Sequence, residues 1–297
     1  MPNYDDLFTG QPTQQEEKPF DKTVWAARKQ AEREGVYAMI DSYVQDMGRE
    51  GGLFQAYLDV QARFDLYSVS NAILIAAQCP EATKLADFDS WKANGVYVRR
   101  GADAITILEP GKEYQRDDGS VGVSYNVRKV FDISQTTARD QAQPQVSYDD
   151  RLLLKGLIAS SPVPIRAVEE LPQGRGAMFS AEQNAILVKK GMDAPDIFRC
   201  VSLEVANVQL AQSMDGYSRE TDGYKAYAVS YMLCKRYGVD AKEYEISKLD
   251  GVFQGQVPRE DIPAALTDMR DAFKSLNGRM ARAMGLTRDS KQKEQER

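Results

Sequence analysis

The chain has 297 residues, of which 42% are hydrophobic and 28% charged, and its formal net charge at neutral pH is −6. This composition is typical of a globular protein and excludes a disordered chain. The sequence contains no histidine. That absence excludes Ser-His and Cys-His nucleophile pairs and the usual zinc, copper and non-haem iron ligand sets. The length allows two ordinary domains or one large one.

Charge, cysteine usage and hydropathy limit the compartment and the partners that we expect for this protein. The negative charge argues against strong non-specific binding of duplex DNA, but it leaves room for a local groove that binds a single strand. Cys79, Cys200 and Cys234 are widely spaced and odd in number, as expected of reduced thiols in the cytoplasm. No apolar run is long enough to span a membrane, and residues 1–17 lack the apolar region of a signal peptide. We therefore expect a cytoplasmic protein without a membrane partner.

The first half of the chain has a helical pattern followed by a β pattern. Residues 1–20 are rich in Gln, Glu and Pro and are expected to form a flexible arm. Residues 21–78 carry apolar side chains at helical spacing, and the nearly continuous apolar run 71–77 predicts a buried helix. Further along, the pattern predicts one short helix and two strands, at residues 87–94, 96–108 and 121–133, with a turn at Gly101 interrupting the first strand.

The second half mixes helical and β patterns. The polar stretch 137–147 is the predicted interdomain linker, residues 148–286 form a second domain, and residues 287–297 form a charged tail. Helices and strands of the second domain are predicted at residues 148–159, 163–168, 177–188, 194–213, 222–237 and 262–284. The predicted fold class is therefore α+β, with an N-terminal domain of helices and a β-hairpin before an α+β domain.

One helix of the second half has the spacing of a zinc peptidase helix without its histidines. Such a helix carries H-E-x-x-H, with both histidines on one face and the glutamate as general base. The same positions here are Leu203-Glu204-Val205-Ala206-Asn207. Leucine cannot bind zinc and asparagine is a poor ligand for it. The pattern predicts a zincin-like domain that has lost its metal and its hydrolytic chemistry; the alternative is compositional chance.

Five short motifs follow one another along the first half of the chain. They lie at residues 66–75, 78–83, 88–91, 95–110 and 130–136. In combination they resemble the signatures N-Y-S-x-x-N-x-x-L-I, Q-x-P-x-A-T, F-x-x-W, G-x-x-V-R-K-G-E-K-G-I-x-I-x-x-P and V-F-D-x-S-Q-T of ArdC-like antirestriction proteins. The resemblance covers residues 21–136. Leu66 departs from the pattern, and Asp103 replaces the second basic residue of the glycine-rich turn.

The resemblance implies that the first half is a module that binds single-stranded DNA. The candidate nucleic-acid-binding residues are Tyr67, Ser68, Asn71, Trp91, Arg99, Arg100, Arg128 and Lys129. Trp91 and Tyr67, together with Tyr97 and Tyr125, are either stacking faces for bases or core aromatics. Arg99 and Arg100 either contact phosphates or form a solvated strand edge.

The second half resembles the zincin-like domain of the ImmA/IrrE type, which often follows this module. A hairpin at residues 178–188 and the helix that holds Glu204 carry this resemblance. In active relatives a further glutamate on the next helix completes the metal site, and Lys225 and Tyr227 occupy the glutamate positions of the family pattern E-A-E. The resemblance thus implies a degenerate site with no metal and no cofactor. Glu204 is expected to be bonded within the old cleft, with Lys225 as a candidate partner, or to be an ordinary exposed residue.

These features together predict a protein of a mobile element that binds single-stranded DNA, with antirestriction as the candidate activity. The peptidase-like domain is predicted to be catalytically inactive and to serve as a scaffold or to hold a peptide or a partner protein. The first alternative is a protein–protein interaction module, anti-defence or regulatory, without DNA binding. The second is an enzyme that uses non-histidine chemistry around Glu204, which converging carboxylates would support.

Overall fold

A computed structural model describes residues 21–50, 52–116, 118–139, 148–254 and 257–286. The predicted arm, the predicted tail and residues 140–147 of the predicted linker lie outside these ranges. The named elements are α1 (Lys22–Met47), α2 (Leu53–Arg63), α3 (Val69–Gln78), β1 (Leu85–Ala86), α4 (Phe88–Ala93), β2 (Ile105–Gln115), β3 (Val121–Asp132), α5 (Asp150–Ser160), β4 (Ile165–Val168), β5 (Ala177–Ser180), β6 (Ala185–Lys189), α6 (Ala194–Ser213), α7 (Arg219–Tyr237) and α8 (Ile262–Ala283).

Several helices begin where the sequence supplies a capping side chain. The carboxylate of Asp21 accepts a hydrogen bond of 2.8 Å from the backbone N–H of Thr23 at the start of α1. Asp193 accepts one of 2.9 Å from the backbone of Asp196 at the start of α6. Such caps satisfy N–H groups that have no partner within the helix. Helix α7 ends at Gly238, which adopts a left-handed φ of 71°, a conformation that favours glycine.

The first sheet is antiparallel, in the order β1-β3-β2. Its main part is a long hairpin in which Ile105 pairs with Val130 near the body and Tyr114 pairs with Gly122 near the tip. The strand predicted at 96–108 is wrong at its start, because β2 begins only at Ile105. Gly101 in the preceding loop has a φ of 83°, which interrupts an extended chain.

The second sheet has the order β4-β6-β5, with β4 parallel and β5 antiparallel to the central strand β6. Four consecutive residues of β6, residues 185–188, are buried, as expected of a strand covered on both faces. Strand β5 lies at an edge of this sheet, and α6 packs against it. The edge strand is therefore brought next to the helix that carries Glu204.

The largest hydrophobic core extends through both halves of the chain, because α2 packs on α7 and α3 packs on α8. Polar bonds cross the same boundary. Asn277 donates a hydrogen bond of 2.6 Å to the buried carboxylate of Asp65, and Arg236 donates one of 2.9 Å to the carbonyl of Arg63. These contacts fix the position of the first half on the second.

The start of the predicted linker belongs to the core of the first half. Ala138 is buried in a small cluster with Trp91 and Ile133, and the backbone N–H of Thr137 donates to the carbonyl of Tyr97 at 2.8 Å.

Within the described ranges, no helix is both long and apolar enough to cross a membrane.

Candidate functional site

Helix α6 places Glu204 in a covered position between the edge strand β5 and the start of α7. Only 5% of the residue is exposed. Phe179 of β5 donates its backbone N–H to Glu204 Oε2 at 2.9 Å. A buried carboxylate without partners would be costly, so its bonds decide what the site can do.

Arg219, the first residue of α7, is the charged partner of Glu204. Its Nη1 and Nη2 atoms donate to the two carboxylate oxygens at 2.9 Å and 2.6 Å, in the two-pronged geometry that makes such pairs strong. The hydrogen bond to Glu204 raises the pKa of Arg219. With Phe179 as a third donor, three hydrogen bonds hold the Glu204 carboxylate in place.

Leu203 and Asn207, at the positions of the two histidines in the H-E-x-x-H pattern, are both engaged within the protein. Leu203 packs against the hydrophobic core. Asn207 is buried, donates a hydrogen bond of 2.8 Å to the carbonyl of Leu203 and accepts one of 2.6 Å from the hydroxyl of Tyr217. Burial raises the pKa of Tyr217 to about 12, so its hydroxyl is protonated and remains a donor near neutral pH.

Lys225 and Tyr227 are each bonded to residues other than Glu204. The ammonium of Lys225 lies 3.2 Å from Asp222 and 2.9 Å from Asp268. The Tyr227 hydroxyl accepts a hydrogen bond of 2.9 Å from the backbone of Glu245. The expectation that Lys225 pairs with Glu204 is therefore wrong. The two carboxylates around Lys225 neutralise its charge inside the fold.

The residues around Glu204 do not fit a divalent metal. Metal sites of this type need several oxygen, nitrogen or sulfur ligands that converge on one point. The part of the chain that the structure describes contains no group of three His, Cys, Asp or Glu side chains able to hold an ion. The guanidinium of Arg219, itself a cation, occupies the acceptor atoms of Glu204.

A groove of about 370 Å³ opens beside this ion pair. Its lining residues include Phe179, Asn207, Gln212, Tyr217 and Arg219. The groove therefore offers hydrogen-bonding groups and apolar surface to a ligand, together with one cation. It offers no carboxylate oriented for catalysis, because the Glu204 side chain is only 6% exposed.

Arg219 was missed by reasoning from the sequence, although one signal marks it. The residue lies one position after Ser218, which caps α7. A cation in the first turn is unfavourable beside the positive end of the helix dipole. An arginine at that position is therefore favoured by a nearby anion, and Glu204 is one.

Three of the predicted nucleic-acid contacts are core residues. Tyr67 and Trp91 are buried, and the indole N–H of Trp91 donates to the carbonyl of Phe131 at 2.9 Å. The buried amide of Asn71 donates to the carbonyl of Leu108 and accepts from its N–H, each at 2.8 Å. The structure thus offers no open aromatic face at Tyr67 or Trp91. Both polar atoms of the Asn71 amide are already hydrogen-bonded to Leu108.

Two further predicted contacts are engaged within the protein. The Ser68 hydroxyl accepts a hydrogen bond from the backbone of Asn71 at the start of α3. Arg128 pairs with Asp87 and, at 2.6 Å, with Glu109. Hydrogen bonding to Asp87 raises the pKa of Arg128. Two carboxylates therefore offset the charge that was predicted to contact a phosphate.

The remaining three predicted contacts are accessible. Arg99 and Arg100 are exposed in the loop before β2, and Lys129 is exposed on β3. Tyr97, two residues before Arg99, is 56% exposed. Of the four basic residues among the predicted contacts, these three are exposed.

Comparison with known proteins shows similarity in fold. No family model matches the chain. An uncharacterized Bacillus anthracis protein, pXO2-81, is 24% identical over 62% of this chain and 40% of its own length, so the chain spans less than half of that relative. The crystal structure of Mn(II)-bound antirestriction protein ArdC from the R388 plasmid has a TM-score of 0.54 and 16% identity, and the match covers 83% of this chain and 98% of that chain. The metal-free ArdC structure has a TM-score of 0.49 and 17% identity, over 73% and 86% of the two chains. The predicted ArdC-like resemblance and the α+β fold class are confirmed at the level of the fold.

A double-mutant cycle on Glu204→Gln and Arg219→Met measures the strength of the buried pair. We expect a coupling free energy of about 1.5–3 kcal/mol in urea unfolding, because Glu204 is screened from water and held by two hydrogen bonds. The control cycle uses the exposed pair of Glu169 and Lys190, whose coupling is expected to be about 0.5 kcal/mol or less. Equal coupling in the two cycles would contradict a special role for the buried pair.

Proposed function

We propose that this chain is an antirestriction-type protein of a mobile element. In this proposal the first half binds single-stranded DNA, and the second half is a metal-free relative of a peptidase domain that does not hydrolyse peptides. The cleft beside Glu204 serves as a scaffold or holds a segment of a host or element-encoded protein. The fold shared with a plasmid antirestriction protein supports the general activity.

The observation that carries the proposal for the second half is the bond between Glu204 and Arg219. A general base needs a lone pair and access to a water molecule. Glu204 lacks that access, because two guanidinium N–H groups and the backbone N–H of Phe179 bind its oxygens and its side chain is only 6% exposed. The same bonds weaken the alternative of a non-histidine enzyme, since the charged group at Glu204 is a guanidinium rather than a second carboxylate.

The proposal for the first half rests on exposed basic residues and a nearby aromatic ring. Arg99, Arg100 and Lys129 are exposed, and Tyr97 offers a ring that is open to solvent. Binding of a single strand combines cations that follow the backbone with rings on which bases stack. The net charge of −6 favours the rival reading, an interaction module without DNA binding, and binding experiments separate the two.

The metal-free cleft has a direct test in thermal unfolding. We expect the melting temperature of the wild-type protein to stay the same with EDTA, Zn(II) or Mn(II), because its residues supply too few ligands. The control is the triple variant Leu203→His/Asn207→His/Arg219→Ala, which restores two ligands and removes the competing cation. Zn(II) should stabilise it by about 2.7 kcal/mol at a concentration 100 times its Kd. One equivalent of metal in the purified wild-type protein would refute this part of the proposal.

DNA binding is tested by fluorescence anisotropy with labelled single-stranded and duplex oligonucleotides at two salt concentrations. We expect a preference for the single strand, and binding that weakens as salt rises, since cations displaced from the phosphates drive association. Arg99→Ala/Arg100→Ala should weaken binding. The matched control, Arg166→Ala/Arg175→Ala, removes two exposed arginines from the second half and should leave it unchanged. Absence of wild-type binding at low salt would favour the interaction module.

The cellular activity is tested by transfer of unmodified plasmid DNA into a restricting host that expresses this chain. We expect more transfer than in cells without the protein, and no difference in a host that lacks the restriction enzyme. Glu204→Gln should retain the effect, because the proposed activity needs no hydrolysis. Loss of the effect in a correctly folded Glu204→Gln protein would instead indicate catalysis at this residue.

A further inference from the structure

A groove of about 380 Å³ lies between the end of α1 and the start of α8. It shares no residue with the groove beside the buried ion pair. Val44, Phe253 and Ile262 form its apolar floor, and each of them is at most 7% exposed. Val257 and Pro258 extend the apolar lining. A concave apolar surface of this size is typical of a site that accepts a ligand.

Packing against the hydrophobic core fixes this floor. The ring of Phe253 meets that of Phe54 edge-on, with centroids 4.8 Å apart, and lies 6.1 Å from the ring of Tyr224. Gly48 lets α1 end close to the same segment, because a Cβ atom at that position would lie 2.6 Å from the carbonyl oxygen of Phe253. The floor therefore consists of side chains that the core holds in place without a ligand.

Two arginines lie at the rim of the groove. Arg49 follows the end of α1 and Arg259 precedes α8, and both residues are exposed. Nη2 of Arg259 donates a hydrogen bond of 2.8 Å to Gln45 Oε1, which keeps this guanidinium at the groove. Within the described residues neither arginine pairs with a carboxylate, although Glu50 and Glu260 are their neighbours in sequence. The described lining of the groove contains no carboxylate either. Both positive charges are therefore available to a partner.

The apolar floor and the two cations together restrict what the groove can bind. The floor alone would accept any apolar side chain, but unneutralised cations at its rim favour an anion over a neutral or basic group. Nucleic acid fits poorly, since its bases need an open ring on which to stack. Phe253 is the one aromatic residue in the described lining, and it is 6% exposed and packed against Phe54. The complementary ligand is therefore an acidic group next to an apolar one.

We propose that the surface formed by Arg49, Phe253, Arg259 and Ile262, the arginine groove, binds an acidic segment of another protein that carries a bulky apolar side chain between its carboxylates. The apolar side chain enters over the floor, and the carboxylates bind the two guanidinium groups in the forked geometry that arginine favours. Energetically important centres of protein interfaces are enriched in such apolar anchors and in arginine. The inference goes beyond the proposed function, because neither the DNA-binding residues nor the cleft beside Glu204 takes part.

The open rim favours a transient contact with a protein over an enclosed small molecule. Both arginines and Pro258 are exposed, so the groove does not close over its ligand, whereas small-molecule sites bury most of the surface of theirs. An exposed ion pair contributes only about 1.4- to 5-fold in affinity, and salt screens it. Binding should therefore depend on both cations and should weaken as the salt concentration rises.

The test measures fluorescence anisotropy of the fluorescein-labelled peptide Gly-Asp-Asp-Leu-Phe-Asp-Asp-Gly with the full chain, over a range of salt concentrations. We expect saturable binding that weakens as salt rises. A peptide with Asn in place of every Asp should bind about 2- to 25-fold more weakly, since it cannot form the ion pairs. A peptide with Ala in place of Leu and Phe should bind at least about 5-fold more weakly, since it lacks the anchor. Equal binding of the three peptides, or no saturable binding, would overturn the proposal.

Variants of the protein locate the peptide in the groove. Arg49→Ala/Arg259→Ala should weaken binding by about 2- to 25-fold and make it less sensitive to salt, and the double Arg→Lys variant should retain most of the affinity. Val257→Ala should weaken binding by about 2- to 15-fold and leave its salt dependence unchanged, because only apolar contact is lost. The matched control, Arg166→Ala/Arg175→Ala, should bind as wild type. Far-ultraviolet circular dichroism checks that each variant is folded, which is expected because the substituted arginines are exposed.

The outcomes separate this inference from the proposed function. Arg219→Met and Arg99→Ala/Arg100→Ala should leave peptide binding unchanged, because these residues lie outside the groove. If Arg219→Met abolishes peptide binding while the groove variants bind as wild type, the segment binds in the cleft beside Glu204. The arginine groove is then refuted and the proposed function stands. If the groove variants lose binding of a single-stranded oligonucleotide together with that of the peptide, the groove is a nucleic-acid site and the inference falls.

Two further measurements separate other occupants of the groove. Residues 4–8 of this chain, Tyr-Asp-Asp-Leu-Phe, have the same acidic and apolar chemistry as the peptide. The full chain with Asp5→Asn/Asp6→Asn should bind the peptide with unchanged affinity, and tighter binding would show that the chain's own segment competes for the groove. Light scattering should give the same mass for the wild type and for Arg49→Ala/Arg259→Ala, whereas a change from dimer to monomer would assign the groove to a second copy. Either contrary result would overturn an external partner.

Discussion

The bonds of the buried carboxylate of Glu204 determine what the second half of the molecule can do. They join three elements: the helix that carries the residue, the edge strand β5 and the start of α7. In a zinc peptidase helix the corresponding glutamate must be available to a metal-bound water. Here the guanidinium of Arg219 binds the glutamate. This cation is covalently part of the chain, so the ion pair does not depend on an exchangeable ion.

The signature residues of the first half act mainly on the fold. Asn71 bonds both backbone groups of Leu108, and Trp91 donates to Phe131. Asp132 accepts from the backbone of Thr83, Lys84 and Ser134. These side chains hold α3, α4 and the loops around them against the hairpin. A motif can therefore identify the architecture while its residues remain closed to a ligand, which leaves binding to the exposed surface around it.

The sequence was informative wherever local pattern determines structure. Apolar periodicity predicted the long helices, the hairpin of β5 and β6, and nearly all of β3. It failed where a contact joins distant positions, and it placed the start of β2 too early. No periodicity links Glu204 to Arg219. Lys225, the partner expected for Glu204, pairs instead with Asp268. Burial of Trp91 and exposure of Trp25 are likewise settled by which neighbours pack on each ring, and composition does not contain that information.

The core shared by the two halves has a consequence for how the molecule can change. Asp65 of the first half is bonded by Asn277 near the end of the second, and α3 rests on α8. Separating the halves would expose the apolar faces that they share to water. It would also remove the hydrogen bond from Asn277 to the buried carboxylate of Asp65. Neither half is therefore a portable module: recombination that exchanges one of them must also supply a matching surface for the other, and the two are expected to be inherited as a single unit.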